Sequence, residues 1–130
     1  MAEHTTQYNS AASLMRAHGI VSIIFGALGT LFSLLLVFLF LFAVTDPNSS
    51  DQVVGGVAMA IVTIIFGILP HCYLLIAGTY LAKNPRPSLA KGLTITNLVI
   101  GVFYNLPILI LAIISLTQLG DYEHGFKNAK

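Results

Sequence analysis

Four side chains in this 130-residue chain have the chemistry to do more than fill space: His71, Cys72, Asn97 and Asn105. All four lie inside long apolar runs, where an imidazole or carboxamide is costly unless it is hydrogen-bonded. His71 is a few ångströms from the midpoint of its run. Asn105 is near the midpoint of the next, with Asn97 about 12 Å along the same helix. If the two helices are antiparallel, His71 falls between the asparagines in depth. A bond from His71 to Asn97 or Asn105 then satisfies both partners and fixes the helix register. The same residues also suit a proton, ion or substrate path, or contact with a partner protein.

Other chemistry finds less support. Haem ligation needs a second axial ligand at matching depth, and His18, expected at the cytoplasmic surface, is more than a helical turn from the level of His71. Cys72 points about 100° around the helix from His71, so the pair makes no metal site and the thiol reads as a small packing group. No Asp or Glu lies inside an apolar run, and spacing recommends no Ser–His or Cys–His pair. The expectation is a protein that is not an enzyme and carries no cofactor or metal. Asn48-Ser49-Ser50 matches a glycosylation acceptor, but its place in a very short connection reads as a turn.

The elements that must position these residues are set by composition. Hydrophobic residues make up 56% and charged residues 8%. A soluble domain carries about a quarter charged residues to wet its surface, so the expected solvent is lipid. A net charge of +1 without basic clusters excludes an electrostatic nucleic-acid binder. The single cysteine excludes an intrachain disulfide.

Three transmembrane spans are expected, over residues 19–44, 53–82 and 89–119, in an all-α, antiparallel up-down-up bundle forming one membrane domain. The first is too long for a signal-peptide core and has no small-residue cleavage site, so it is expected to be retained. Asp46–Asp51 reads as a turn and Lys83–Ser88 as a proline-broken connection, with Ser88 capping the third span. The second and third spans are expected to kink near Pro70 and Pro107. Asp121–Lys130 reads as a loosely ordered tail. Arg16, Lys83, Arg86 and Lys91 against Asp46 and Asp51 place the N-terminus and second connection in the cytoplasm. With three spans the C-terminus then lies outside. Tyr80 and Tyr122 are expected at the two interfaces.

Each span carries a stripe of small or polar residues at helical spacing. In the first it is Gly19, Ser22, Gly26, Gly29 and Ser33. In the second it is Gly56, Ala60, Thr63, Gly67 and His71. In the third it is Thr94, Asn97, Gly101, Asn105, Ala112 and Ser115. Such stripes let backbones approach where no hydrophobic effect drives association, so Gly26, Gly67 and Gly101 are expected at helix contacts. Leu34–Phe42 is unbroken bulky apolar sequence, suited to lipid or to docking another membrane protein. The functional expectation is a structural or accessory subunit acting through helix faces, in a homo-oligomer or a larger membrane complex. The alternative is an oligomeric channel or small transporter lined by the His71/Asn97/Asn105 face.

Overall fold

The computed structural model describes residues 2–44 and 46–128. The regular structure of these residues is helical: α1 (Ala2–Phe42), α2 (Ser50–Thr63), a π-helical turn (Ile64–Ile68), α3 (Leu69–Leu81), α4 (Pro87–Tyr104), α5 (Leu106–Thr117) and α6 (Leu119–Asn128). Two stretches are long and apolar enough to cross a membrane, Thr6–Phe42 and Ser50–Leu81. The first helix begins at Ala2, ahead of the apolar run that opens at Gly19. The second starts at Ser50, where the Ser49 side chain caps it by accepting from the Gln52 amide at 3.5 Å.

The expected kink near Pro70 takes the form of the π-helical turn just before it. Proline has no N–H for the Phe66 carbonyl and its ring crowds the preceding turn. The chain widens ahead of it, and the Leu69 amide reaches back five residues to the Ile64 carbonyl. Helix therefore continues from Ser50 to Leu81 with no intervening loop. At its far end Asn84 adopts a left-handed φ of 50°, a conformation asparagine tolerates, and the helix stops there.

Two compact units divide the chain: residues 24–75, and the remainder on either side. In the first, α1 pairs with α2 and α3 through the predicted stripes. A Cβ on Gly26 would lie 2.7 Å from the Leu75 amide nitrogen and 2.8 Å from the His71 carbonyl oxygen. A Cβ on Gly29 would collide with the His71 imidazole, and one on Gly67 would lie 2.7 Å from Ser33 Oγ. Gly56 meets the Phe40 carbonyl in the same way, at 2.8 Å. These contacts run in antiparallel order along the two helical stretches. Bulky residues such as Leu31, Phe32, Leu35 and Phe42 project outward.

In the other unit, the early part of α1 packs with the end of α3 and with α4, α5 and α6. Gly19 faces the Gly78 carbonyl, 2.6 Å from a hypothetical Cβ. The expected third span is not one kinked helix. The chain reverses at Asn105, whose backbone is extended (φ −156°, ψ 106°), and α5 returns along α4. A Cβ on Gly101 would lie 2.5 Å from the Leu109 amide nitrogen. Asn105 Oδ1 accepts from the Ile108 amide at 3.2 Å, so the residue caps α5 instead of sitting mid-helix. Pro107 occupies the first turn, where its missing N–H has no helical partner to lose.

Three further expectations are corrected here. Pro87 opens α4 with Arg86 at the cap position, so Ser88 lies inside the helix. The expected loose tail is the helix α6 through Asn128, bent 53° from α5. Tyr122, expected at an outer interface, is fully buried in this unit. Its ring stacks on Tyr8 with centroids 5.8 Å apart, and its hydroxyl donates to the Pro85 carbonyl at 2.5 Å. Burial, with the Tyr8 phenol adding to it, pushes the Tyr122 hydroxyl up to about 12, so it remains a donor at neutral pH. The start of α1, the second connection and α6 thus share one end of the unit.

Tyr122→Phe keeps the stacked ring and removes that bond. The expected loss is about 1 kcal/mol of stability, with faster hydrogen exchange in α6. Unchanged melting of the purified protein in detergent would count against the bond.

Candidate functional site: a buried polar cluster around His18

The third small-residue stripe becomes the inner face of the α4–α5 hairpin. Ala90, Thr94, Asn97 and Gly101 on α4, with Ile108, Ala112 and Ser115 on α5, are all buried. Spacings of three and four residues keep each set on one side of its helix. Because the chain doubles back, Asn97 and Ser115 come to the same point on α1, although eighteen residues of one continuous helix would hold them about 27 Å apart.

That point is His18, with 0% of its surface exposed. Asn97 Nδ2 lies 3.1 Å from His18 Nε2 and donates to Ser22 Oγ at 3.2 Å. Ser115 Oγ lies 3.2 Å from His18 Nδ1. A carboxamide nitrogen only donates, so Nε2 accepts, the ring proton sits on Nδ1, and Ser115 Oγ receives it. One turn earlier, Thr94 Oγ1 donates to Met15 Sδ at 3.9 Å. Asn97 Oδ1 is buried without a partner. The cluster therefore ties α1 to both arms of the hairpin through one neutral imidazole.

His18, not among the expected site residues, is the centre of this network. Asn97 is bonded to His18 and Ser22, not to His71, and Asn105 spends its side-chain oxygen on the α5 cap. His71 belongs to the other unit, where Nδ1 donates to the Gly67 carbonyl at 2.6 Å and the ring fills the space left by Gly29. Cys72 Sγ lies 3.8 Å from Thr30 Oγ1, on the same helix pair. Gly26 and Gly67 lie at the α1 contact of that pair, and Gly101 at the α4–α5 contact. A signal for His18 was present in the sequence: Met15 and His18 lie seven and four residues before Ser22 and extend the first stripe toward the N-terminus.

Among the described residues, no group of three His, Cys, Asp or Glu side chains converges on a point that could hold a metal. The chain's chemistry at this cluster is hydrogen bonding between neutral groups, which suits holding helices together. The chain matches no protein-family model, no curated protein and no solved structure.

Proposed function

We propose that this chain is a small, non-enzymatic integral membrane protein with two full spans. In this reading both ends lie in the cytoplasm, the α4–α5 hairpin enters the membrane without crossing it, and the chain acts as a structural or accessory subunit. The observation that carries the reading is the shared end formed by the start of α1, the second connection and α6. The five described Lys and Arg residues then fall on one side, including Lys127, which a three-span path puts on the wrong one. Asp46 and Asp51 occupy the other side. That distribution satisfies the positive-inside rule without exception.

The side-chain pattern agrees. α6 is built for water, with Leu119, Tyr122 and Phe126 turned inward and Asp121, Glu123 and Lys127 outward. The hairpin is built the opposite way, small or polar residues inward and Ile95, Val99, Val102, Ile110, Ile113 and Ile114 outward. Such an inverted pattern suits hydrocarbon. The accessory role rests on the exposed Leu31–Phe42 face, which offers bulky apolar surface to another subunit or a second copy. Asn97 and Asn105 are bonded within their own unit, which favours the accessory reading over the channel.

Cysteine labelling tests the topology. In a Cys72→Ser background, Ser49→Cys should react from outside, while Ser88→Cys and Gly120→Cys should react only from the cytoplasmic side. Labelling of Gly120→Cys from outside would restore three spans. The accessory role is checked by photo-crosslinking from Leu35 in native membranes: adducts of defined mass are expected, and cross-links to lipid alone would defeat it.

A further inference from the structure

We propose that Arg16, Lys83, Arg86 and Lys91 form a binding site for the headgroup of an anionic phospholipid. The proposal rests on α1 crossing the membrane, and it holds whichever path α4 and α5 take there.

The cations occupy matching places in the sequence. Arg16 is the last charged residue before the apolar run of α1, and Lys83 is the first after the run of α2 and α3. Lys91 is the last before the run of α4 and α5, and Arg86 is the cap residue from which α4 starts. Such places lie where a helix passes from headgroups into hydrocarbon. The fold gathers all four in one compact unit. Asn84 makes the link: its carboxamide donates to the Ala12 carbonyl and accepts from the Arg16 guanidinium, both at 3.2 Å. That contact engages one of the five N–H donors of Arg16 and steadies a side chain that stays exposed. Lys83 adjoins Asn84, and Arg86 follows two residues on, within about 7 Å from Cα to Cα. Lys91 lies one turn into α4, where helical side chains lean toward the N-terminus and so back toward Arg86.

Nothing described in the chain neutralises this cluster. All four residues are exposed. Among the described residues the one ion pair joins Lys127 to Glu123 at 3.2 Å, so Lys83, Arg86 and Lys91 meet no carboxylate. The start of α4 deepens the imbalance. A helix N-terminus is already partly positive, yet here the cap is an arginine and the first turn holds no acid. A phosphate answers that excess, with the Arg16 fork and the ammonium groups as charge-assisted donors.

The surface beyond the cations selects a lipid over a free anion. Ile20 is four residues past Arg16 on α1, and Ile95 and Val99 are four and eight past Lys91 on α4. These spacings keep them on the faces of the cations they follow. They are exposed by 47%, 42% and 52%. An anion that carries acyl chains meets both the charges and this apolar surface. Free phosphate meets only the charges.

The test uses the full chain in dodecyl maltoside micelles, titrated with phosphatidylglycerol or with phosphatidylcholine. Mass spectrometry of the intact complex counts the bound lipid. Phosphatidylglycerol should bind saturably and more tightly than phosphatidylcholine. A cation near a membrane surface contributes about fivefold in affinity for anionic lipid. Lys83→Gln combined with Arg86→Gln should therefore lower phosphatidylglycerol affinity about 25-fold and leave phosphatidylcholine unchanged. Neither side chain bonds elsewhere among the described residues, so the fold should survive. Lys127→Gln removes a cation that is already paired and should change nothing. Equal affinity for the two lipids, or an unaltered phosphatidylglycerol affinity in the double variant, would overturn the proposal. Inorganic phosphate that displaces the lipid at equal concentration would also overturn it, by showing an anion site indifferent to acyl chains. The failures are separable: loss of the lipid preference in micelles removes this site alone, whereas a chain that stays folded and dispersed without detergent removes the membrane reading too.

Discussion

Gly26→Ala is expected to destabilise the protein by about 2–3 kcal/mol, although alanine is the better helix former by about 1 kcal/mol. The added carbon would lie 2.7 Å from the Leu75 nitrogen and 2.8 Å from the His71 carbonyl oxygen, and both are backbone atoms. A flexible side chain can move aside, but a helix backbone cannot do so without carrying its neighbours. Relief therefore requires α1 and α3 to separate locally by up to about an ångström, which forfeits dispersion along the whole contact. In lipid there is no hydrophobic effect to push the helices together again. The control is Gly55→Ala on α2, where nothing lies within 4 Å of the new carbon. There the propensity gain stands alone, and stability should be unchanged or rise by up to about 1 kcal/mol. Denaturation of both variants in bicelles by a titrated detergent measures the difference. Equal stabilities would show that close backbone approach does not hold this pair.

The packing faces of this pair were legible in the sequence because glycine spacing is a local signal. The partner was not, since His71 was expected to meet Asn97 or Asn105 on the third span. The spacing of Gly26, Gly29 and Ser33 favours a helix contact, and Gly67 and His71 supply the other side of it. The reversal at Asn105 was not legible in the same way. Proline two residues beyond an asparagine fits a kinked span and fits equally a capped helix start, because Pro is tolerated in the first turn. Local chemistry leaves the two tied, and the tie is broken by partners distant in sequence: His18 bonds to Asn97 and Ser115, and Tyr122 to Pro85. That spacing alone leaves His18 outside the candidate site follows from that one reversal. Once α5 returns along α4, the stripe that was to hold His71 closes on α1 instead.

The largest polar effect is expected at His18. His18→Leu removes the acceptor for Asn97 Nδ2 and the proton received by Ser115, leaving two buried groups short of partners, and should cost about 2–3 kcal/mol. Asn97→Leu should cost less, about 1 kcal/mol, because Asn97 Oδ1 is already unpartnered and the substitution removes that liability together with the bond. The double variant restores consistency by making the site apolar on both sides, so it should be less damaged than the separate losses imply. A coupling of about 0.5–2 kcal/mol is expected from the cycle. Strictly additive losses would mean that the 3.1 Å contact carries no energy. A second readout is independent of stability. Nitrogen chemical shifts of His18 should report a neutral ring with its proton on Nδ1, the form that Asn97 as donor requires. A ring protonated on Nε2 would reverse the direction of that bond, and with it the account of how α1 holds the hairpin.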